Sequence, residues 1–281
     1  KISRDGLREI AGRFLGAVAK ASGIYQHIES KKGAGNFIAE VSMDEVESAQ
    51  TPEELFFILL MISHYQIPAQ TIAPKFTGRF NKGVDYVGDV EQFAEEFEND
   101  LLVIKQAIRA FGLPENLKLS VHSGSDKFSI YKPIRELTRK HDAGVHVKTA
   151  GTTWLEELIG LALAGGNGLD IAKAVYSDAL KRYDELTAPY STVIDVDVSA
   201  LPSEQTVNEW SGVQFANALR HVPDHPEYNP HFRQLLHCGY KVAANMGQPF
   251  FDALEAYESI IAEQVTENIF ERHIKPLFID Q

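Results

Sequence analysis

Two apolar runs near the middle of the chain end in polar residues of the kinds that carry out catalysis. The first run, residues 116–121, leads to His122, and the second, residues 143–147, contains His146 and leads to Lys148. In both runs apolar and polar residues alternate with a period of two, which is typical of a half-buried strand. Because α/β proteins place their chemistry where strands end, this stretch is the first candidate for an active site.

Two further strands are predicted upstream, and both end in charged residues. Residues 37–45 end in Asp44 and Glu45, and residues 70–77 contain Lys75. Helical spacing of apolar residues predicts helices at 3–28, 51–65, 89–111 and 152–164, the first three capped by Ser3, Thr51 and Asp89. Residues 128–142 show no clear pattern. The alternation of strands and helices indicates parallel βα units, whose strands end at one edge of the sheet.

The predicted fold class is α/β, and a (β/α)8 barrel of the TIM type explains the pattern most economically. About four βα units are visible, so residues 1–165 are predicted to form half of a barrel that carries the site. Residues 166–281 are mostly helical and are predicted to be a carboxyl-terminal extension packed on the barrel. A doubly wound open sheet is the alternative.

Composition limits the partners and the compartment. The net charge of −12 over 281 residues argues against nucleic-acid binding, which needs a basic surface. The single Cys238 excludes a disulfide framework and a cysteine-rich zinc site, and it fits a reducing cytoplasm. No apolar run approaches the roughly 20 residues needed to span a bilayer, and no signal peptide is visible. We therefore expect a cytoplasmic protein that binds a small molecule, either as a monomer or as a homo-oligomer.

The alternation of residues also predicts which way each side chain at the strand ends points. If the apolar faces meet the helices, the polar side chains point to the interior and Glu45 stays at the rim. The side chains predicted to point inward are Ser42, Asp44, Lys75, Lys118, Ser120, His122, His146 and Lys148.

Two imidazoles beside carboxylates indicate a site for a first-row divalent metal ion. The candidate ligands are His122 and His146 together with Asp44 and Glu45, and Zn, Mn, Ni, Co and Fe are the candidate ions. The alternative is that each histidine is a hydrogen-bonded core residue.

The lysines at the strand ends allow a different chemistry. A lysine among apolar neighbours forms a Schiff base with a ketone, which would make the protein a metal-free, class I aldolase-like lyase that uses Lys148 or Lys75. The alternative is that each lysine pairs with Asp44 or Glu45.

Two loop segments resemble anion-binding turns. In the segment 123–127 a glycine lets backbone amides converge and Lys127 adds charge, while Thr149 precedes a helix whose first turn offers free amides. The alternative is a tight turn followed by a helix cap. Arg79 and Lys82 are predicted to be solvated unless their loop folds over the site.

Other polar residues fit supporting roles. Three histidines lie in a proline-rich loop and are predicted to be on the surface: His221, His225 and His231. Three residues share one helical face that is predicted to pack against the rest of the protein: Arg233, His237 and Tyr240.

The segment Leu119-Ser-Val-His-Ser-Gly-Ser-Asp-Lys-Phe-Ser-Ile-Tyr131, followed by His146-Val-Lys-Thr-Ala-Gly-Thr152, resembles the tagaturonate/fructuronate epimerase family of bacterial hexuronate catabolism. Segments 40–45, 76–89 and 233–237 extend the resemblance over most of the chain, while Lys132 between Tyr131 and Pro133 departs from the family pattern. Members of that family are longer at the amino terminus. The chain therefore looks like their second half, with four further strands expected upstream.

The resemblance implies a divalent-metal-dependent barrel that interconverts two keto-hexonates differing at one carbon. That carbon is β to the ketone, so a retro-aldol cleavage followed by re-addition is expected. A transient oxidation is less favoured because no dinucleotide-binding fingerprint is present. A non-catalytic fragment that binds sugar acids is a further alternative, since half of the barrel would lie outside this chain.

The resemblance also implies roles for the candidate residues. The metal is assigned to His122 and His146 with Asp44 or Glu45. The developing alkoxide is assigned to Lys148 or Lys75, and proton transfer to Asp126. Substrate binding is assigned to Ser123, Ser125, Lys127, Thr149 and Arg79, of which the first three hold the carboxylate.

Overall fold

A computed structural model describes residues 2–279 and contains a parallel four-stranded sheet with many helices. The strands are β1 Glu40–Ser42, β2 Thr71–Ala73, β3 Lys118–Val121 and β4 Val145–Val147, and they lie side by side in chain order. The predicted α/β class is confirmed. Each strand is shorter than its alternating segment, because only three or four residues of each pair with a neighbour.

Helices connect the strands and make up most of the rest of the described chain. Those of the strand region are α1 Arg4–Lys32, α2 Pro52–His64, α3 Val90–Phe111 and α4 Phe128–Lys140. Those that follow β4 are α5 Ala150–Ala164, α6 Gly166–Lys181, α7 Tyr183–Thr187, α8 Glu204–Glu209, α9 Gly212–Leu219, α10 Pro230–Cys238, α11 Tyr240–Met246, α12 Gln248–Ala256 and α13 Glu258–Thr266. Short 3₁₀ turns span Ala188–Tyr190 and Val198–Ala200, and a π-helical segment spans Glu267–Ile279.

The predicted helix starts are confirmed by their capping bonds. The side chain of Ser3 accepts from the amide of Gly6, and Thr51 forms a capping box with Glu54. Asp89 accepts from two amides of the first turn of α3. Helix α4 was not predicted, because Pro133 lies inside it and a proline normally interrupts a helix.

The pairing register puts the polar alternate residues of all four strands on one face of the sheet. Glu40 pairs with Thr71, Ser42 with Ala73, and Ser120 with His146. The opposite face is apolar and buried, and it includes Val41, Ile72, Leu119, Val121 and Val145. The predicted division of each strand into an apolar and a polar side is therefore confirmed.

The chain divides into two compact units, which are discontinuous in sequence. The first unit takes the chain up to Gly78, Gly88–His122 and Pro133–Lys148, and it contains the whole sheet. The second takes Arg79–Val87, Ser123–Lys132 and the chain from Thr149 onward. The predicted boundary at residue 165 stays a prediction, and the units divide between Lys148 and Thr149.

Each unit has its own core. In the first, Leu55 and Ile58 of α2 and Phe93 and Phe97 of α3 are fully buried. In the second, a large apolar cluster joins α5, α6, α9 and α10, with Tyr176 and Phe232 in ring contact at 4.6 Å. Among residues 2–279, no helix combines the length and the apolar character that crossing a membrane requires.

Candidate functional site

The polar face of the sheet carries a connected cluster of charged side chains, all in the first unit. We call it the tip cluster: Glu40, Ser42, Asp44, Ser120, His122, His146 and Lys148. Glu40 is its hub. Its carboxylate lies 2.8 Å from Nε2 of His122, 3.2 Å from Nδ1 of His146 and 2.7 Å from Nζ of Lys148. It also accepts a hydrogen bond from the hydroxyl of Thr71 at 3.0 Å. One carboxylate on β1 therefore holds side chains from β3 and β4.

His122 lies between two carboxylates. Its Nε2 faces Glu40, and its Nδ1 lies 3.1 Å from Oδ2 of Asp44. Burial alone would lower the pKa of His122, but the hydrogen bonds to Asp44 and Glu40 raise it to about 9. At neutral pH His122 is therefore an imidazolium that donates from both ring nitrogens.

The two carboxylates remain ionised. Burial would raise their pKa values, but hydrogen bonds from His122 lower the pKa of both Asp44 and Glu40, and Lys148 lowers that of Glu40 further, to well below its ordinary value. The hydroxyl of Ser42 donates to Asp44, and that of Ser120 lies 3.1 Å from Nδ1 of His146. The cluster is thus a network of matched charges that an added substrate or ion would rearrange.

The structure brings together most of the residues predicted at the strand ends, with two differences. Lys75 donates to the carbonyl of Val46, in the segment after β1, and Glu45 is exposed. Glu40, which was not among the predicted site residues, takes the central position. Its signal was present in the sequence, because it shares the parity of Ser42 and Asp44, but it lies at the start of β1 rather than at the end.

The donor types of the tip cluster fit a divalent metal ion, since imidazoles and carboxylates are its usual ligands. As arranged, however, no group of three or more His, Cys, Asp and Glu side chains in residues 2–279 is set to hold an ion. Protons on His122 bridge the carboxylates instead. Because metal ligands must be deprotonated, an ion would have to displace these protons. The residue types of the tip cluster therefore suit a metal ion, but in this arrangement its carboxylates face the protons of His122.

Asp126, predicted to transfer protons, lies in the interior of the second unit. Its side chain is fully buried, and Oδ2 accepts from Nη2 of Arg233 and from the hydroxyl of Thr152, both at 2.8 Å. Burial would raise the pKa of Asp126, but the charge of Arg233 holds it well below its ordinary value. Asp126 is therefore a permanent buried anion paired with a buried cation.

Three further polar side chains surround this pair. Nδ1 of His221 lies 3.9 Å from Oδ1 of Asp126, and His273 accepts from the backbone amide of Asp126 at 2.9 Å. Glu156 lies 3.6 Å from Arg233, and burial raises its pKa to about 7. The prediction that His221 is a surface residue is wrong, because it is only 1% exposed and packs beside this anion.

Lys127 and Ser125, predicted to bind an anion, are also buried. Nζ of Lys127 donates to the carbonyls of Asn81, Val84 and Ser125, at 2.9, 2.6 and 3.1 Å. Burial lowers the pKa of Lys127 to about 8. Its three donors are directed to the backbone.

The remaining predicted substrate-binding residues lie nearer the surface of the second unit. Ser123 is half-buried and accepts from Nζ of Lys82 at 3.0 Å. Thr149 precedes α5 without a capping bond from its side chain, and Arg79 pairs with the exposed Asp195 at 3.0 Å. Lys82, predicted to be solvated, instead contacts a predicted site residue.

Comparison with known proteins shows which family the chain matches. The model of the tagaturonate epimerase family (UxaE) matches residues 1–277. A tagaturonate/fructuronate epimerase of Thermotoga maritima is 29% identical over 278 residues, which cover 98% of this chain and 52% of that protein. The chain thus spans about half the length of the curated relative it matches.

Solved structures agree with the fold. A glycerol complex of the fructuronate-tagaturonate epimerase UxaE from Cohnella laeviribosi matches with a TM-score of 0.77 at 24% identity, covering 98% of this chain and 52% of that one. The native structure of the same enzyme matches with a TM-score of 0.70 at 26% identity, covering 92% and 49%.

Proposed function

We propose, from the premise that the chain belongs to the tagaturonate epimerase family, that it takes part in the metal-dependent interconversion of D-tagaturonate and D-fructuronate. The observation that carries this proposal is the tip cluster, in which Glu40 joins His122, His146 and Lys148 on the polar face of a parallel sheet. Such a cluster offers both ligands for an ion and a cation for a developing alkoxide.

The two sugar acids differ at a carbon β to the ketone, so a retro-aldol step suits the chemistry. The hydroxyl on that carbon gives up its proton, the bond to the carbon α to the ketone breaks, and the electron pair passes to the ketone oxygen as an enediolate. The aldehyde then rotates and the same bond forms on its other face. Every atom of the substrate is retained.

The residues of the tip cluster divide these tasks. Lys148 faces Glu40 as an ion-paired ammonium and stabilises the alkoxide. Nδ1 of His146 faces Glu40 and Ser120, which leaves Nε2 of the ring to accept and return the hydroxyl proton. His122 and a carboxylate of Asp44 or Glu40 would hold the ion. When bound, it would supply Lewis-acid stabilisation of the enediolate oxygens. Because Glu40 contacts both histidines, it replaces Glu45 as the candidate carboxylate ligand.

The fold supports a barrel as the setting for this chemistry. The strands follow one another in chain order, with no reversal of the kind that makes the binding crevice of a doubly wound sheet. The four parallel strands are half the number of a (β/α)8 barrel, and the chain covers about half of its relatives. We infer that the sheet is part of such a barrel.

The test is turnover of tagaturonate to fructuronate, followed by NMR, with the 281-residue chain and with a form extended upstream. We expect activity that a chelator removes and that added Mn²⁺, Zn²⁺ or Ni²⁺ restores. Lack of turnover in both forms with every ion would overturn the proposal. Trapping of substrate on Lys148 by borohydride would replace the metal-dependent route with a Schiff base.

A further inference from the structure

We propose that Glu156 and Asn268 form a buried proton-binding site within the second unit. A protonated carboxyl group on Glu156 and the amide of Asn268 exchange two hydrogen bonds, which join α5 to the π-helical segment Glu267–Ile279. Both side chains are fully buried, and both residues belong to the second unit. Loss of the proton breaks one of the two bonds and loosens the π-helical segment.

One of the two hydrogen bonds is present in the structure. Nδ2 of Asn268 donates to Oε1 of Glu156 at 2.9 Å. The other two oxygens of the pair, Oε2 of Glu156 and Oδ1 of Asn268, are buried, and within residues 2–279 no donor reaches either of them. If Glu156 is ionised, both atoms are acceptors and cannot bond to each other. A proton on Oε2 makes it a donor to Oδ1, and one bond then satisfies both buried atoms.

The charges beside Glu156 favour the same protonated form. Arg233 donates from Nη2 to Asp126 at 2.8 Å, whereas the distance from Nη2 to Oε1 of Glu156 is 3.6 Å, too long for a hydrogen bond. The other donors of the guanidinium are directed to the carbonyls of Gly83 and Leu219. One buried cation therefore faces two buried carboxyl groups and bonds to only one of them. A buried carboxylate without its own cation is costly, so the group takes up a proton instead.

Other charged groups face Glu156 from the elements packed around α5. Arg220, which follows α9, and Arg272 of the π-helical segment favour the ionised form, while Asp126 disfavours it. Arg220 pairs with Glu267, and Arg272 donates to a backbone carbonyl. The charged side chains of α6, α12 and α13 are exposed or bond to groups outside α5. Burial outweighs the cations and raises the pKa of Glu156 to about 7.

Two buried histidines belong to the same network but do not compete for this proton. His221 and His273 lie 3.9 and 3.8 Å from Oδ1 of Asp126, and burial lowers the pKa of both rings below its ordinary value of 6.5. His273 also bonds to the amide of Asp126 and to the carbonyl of Asn268. A rise of pH through about 7 therefore titrates Glu156 while both histidines stay neutral.

The sign of the shift gives the direction of the effect. The folded chain binds the proton of Glu156 more tightly than the unfolded chain, in which the ordinary pKa is 4.5. The contribution of the pair to stability is therefore fully present below pH 4.5 and is lost as pH rises through about 7. Opening of the π-helical segment that frees Glu156 should become easier over the same interval.

Infrared spectroscopy tests whether the proton is present. The difference spectrum between the wild type and Glu156→Gln should contain the carbonyl band of a protonated carboxyl group, which a carboxylate lacks. The band should fade as pH rises through about 7. Asp100, whose pKa burial raises to about 8, is common to both proteins and cancels in the difference. A spectrum without this band on the acid side of pH 7 would overturn the proposal.

Hydrogen exchange tests whether the proton holds the segment in place. Mass spectrometry of peptides that cover residues 267–279 gives their protection after correction for the intrinsic exchange rate. In the wild type we expect protection to fall by about 10-fold per pH unit between 4.5 and about 7, the effect of one bound proton. In Glu156→Gln an amide that cannot ionise forms both bonds with Asn268, so protection should stay high throughout.

A matched control and the wild type alone keep the test decisive. Glu255→Gln removes an exposed carboxyl group of α12, in the same unit, and should follow the wild type at every pH. Wild-type protection of residues 267–279 that does not change with pH would overturn the proposal, even if a variant does not fold. The same fall of protection in Glu156→Gln would also overturn it.

Discussion

Replacing Arg233 by methionine tests the buried network of the second unit most directly. The guanidinium is fully buried and donates to the carbonyls of Gly83 and Leu219 and to Asp126, at 2.6, 2.7 and 2.8 Å. Methionine fills much of the volume but leaves Asp126 as a buried charge without its partner. Breaking a buried ion pair in this way costs about 3–5 kcal/mol. Two orphaned carbonyls place the expected loss of unfolding free energy at the upper end of that range.

The assay is urea unfolding at neutral pH, read as a double-mutant cycle. Asp126→Asn alone should also destabilise the protein, since Arg233 then lacks its counter-charge. The double variant should lose less than the sum of the two by about 2–3 kcal/mol, because it removes both charges together. Arg182→Met is the matched control: Arg182 pairs with Asp178 and Glu185 near the surface, where solvent screens ion pairs, so its loss should cost far less than that of Arg233.

Either of two results would refute this account of Arg233. If Arg233→Met costs no more than Arg182→Met, burial of the guanidinium is not stabilising. If the double variant loses the full sum, the two charges are not coupled.

Three further predictions concern single positions. Glu40→Gln should lower kcat by about 10²–10⁴-fold, because the charge-assisted hydrogen bonds to His122 and Lys148, of about 1.5–3 kcal/mol each, are lost. Glu45→Gln, on the exposed segment, is the control and should keep at least half of the wild-type kcat. Burial raises the pKa of Asp100 from 3.8 to about 8, so urea unfolding should show stability falling as pH rises through that interval, and Asp100→Asn should remove the fall. Gly151→Ala should lower Tm, because its Cβ would lie 2.1 Å from Nε2 of His237, and adding His237→Ala should restore it.

The direction of the pH dependence that Asp100 gives to stability follows from the sign of its pKa shift. In the folded chain the carboxyl binds its proton more tightly than in the unfolded chain, because burial and the charge of Glu96 disfavour the anion. Stability is therefore fully present below pH 3.8 and is lost as pH rises through about 8. An asparagine at this position is uncharged at every pH, so the Asp100→Asn variant should not show this loss of stability. A wild type whose stability does not change over this interval would contradict the burial argument.

The sequence predicted the sheet well, because period-two alternation reports directly on the two faces of a strand. His122, His146 and Lys148 lie on the polar face as expected, and so does Asp44. Glu40 was not predicted, because it lies at the start of β1, whereas catalytic residues are expected at strand ends. Glu40 lies two residues before the end of β1, and its long side chain reaches His122 and Lys148, which follow the ends of β3 and β4.

The buried network of the second unit was beyond sequence reasoning for a different reason. Asp126 and Arg233 are separated by 107 residues, and neither lies in a pattern that distinguishes a buried charge from an exposed one. His221 gave the opposite error, since a proline-rich loop normally indicates a surface. Here the His221 ring lies beside the ring of Tyr228, with centroids 5.8 Å apart, and its Nδ1 is 3.9 Å from Oδ1 of Asp126, so aromatic packing and a nearby charge accompany its burial rather than a hydrogen bond.

Lys127 has a structural role, although the composition of its segment suggests that it binds an anion. A segment of serines, a glycine and a lysine is typical of an anion cradle, and it assigns the charge to Lys127. A fully buried ammonium, however, must satisfy its three hydrogens, and three backbone carbonyls do so. Two of those carbonyls belong to Asn81 and Val84, so Lys127 fixes the segment 81–84 against the turn 123–127 instead of binding an anion.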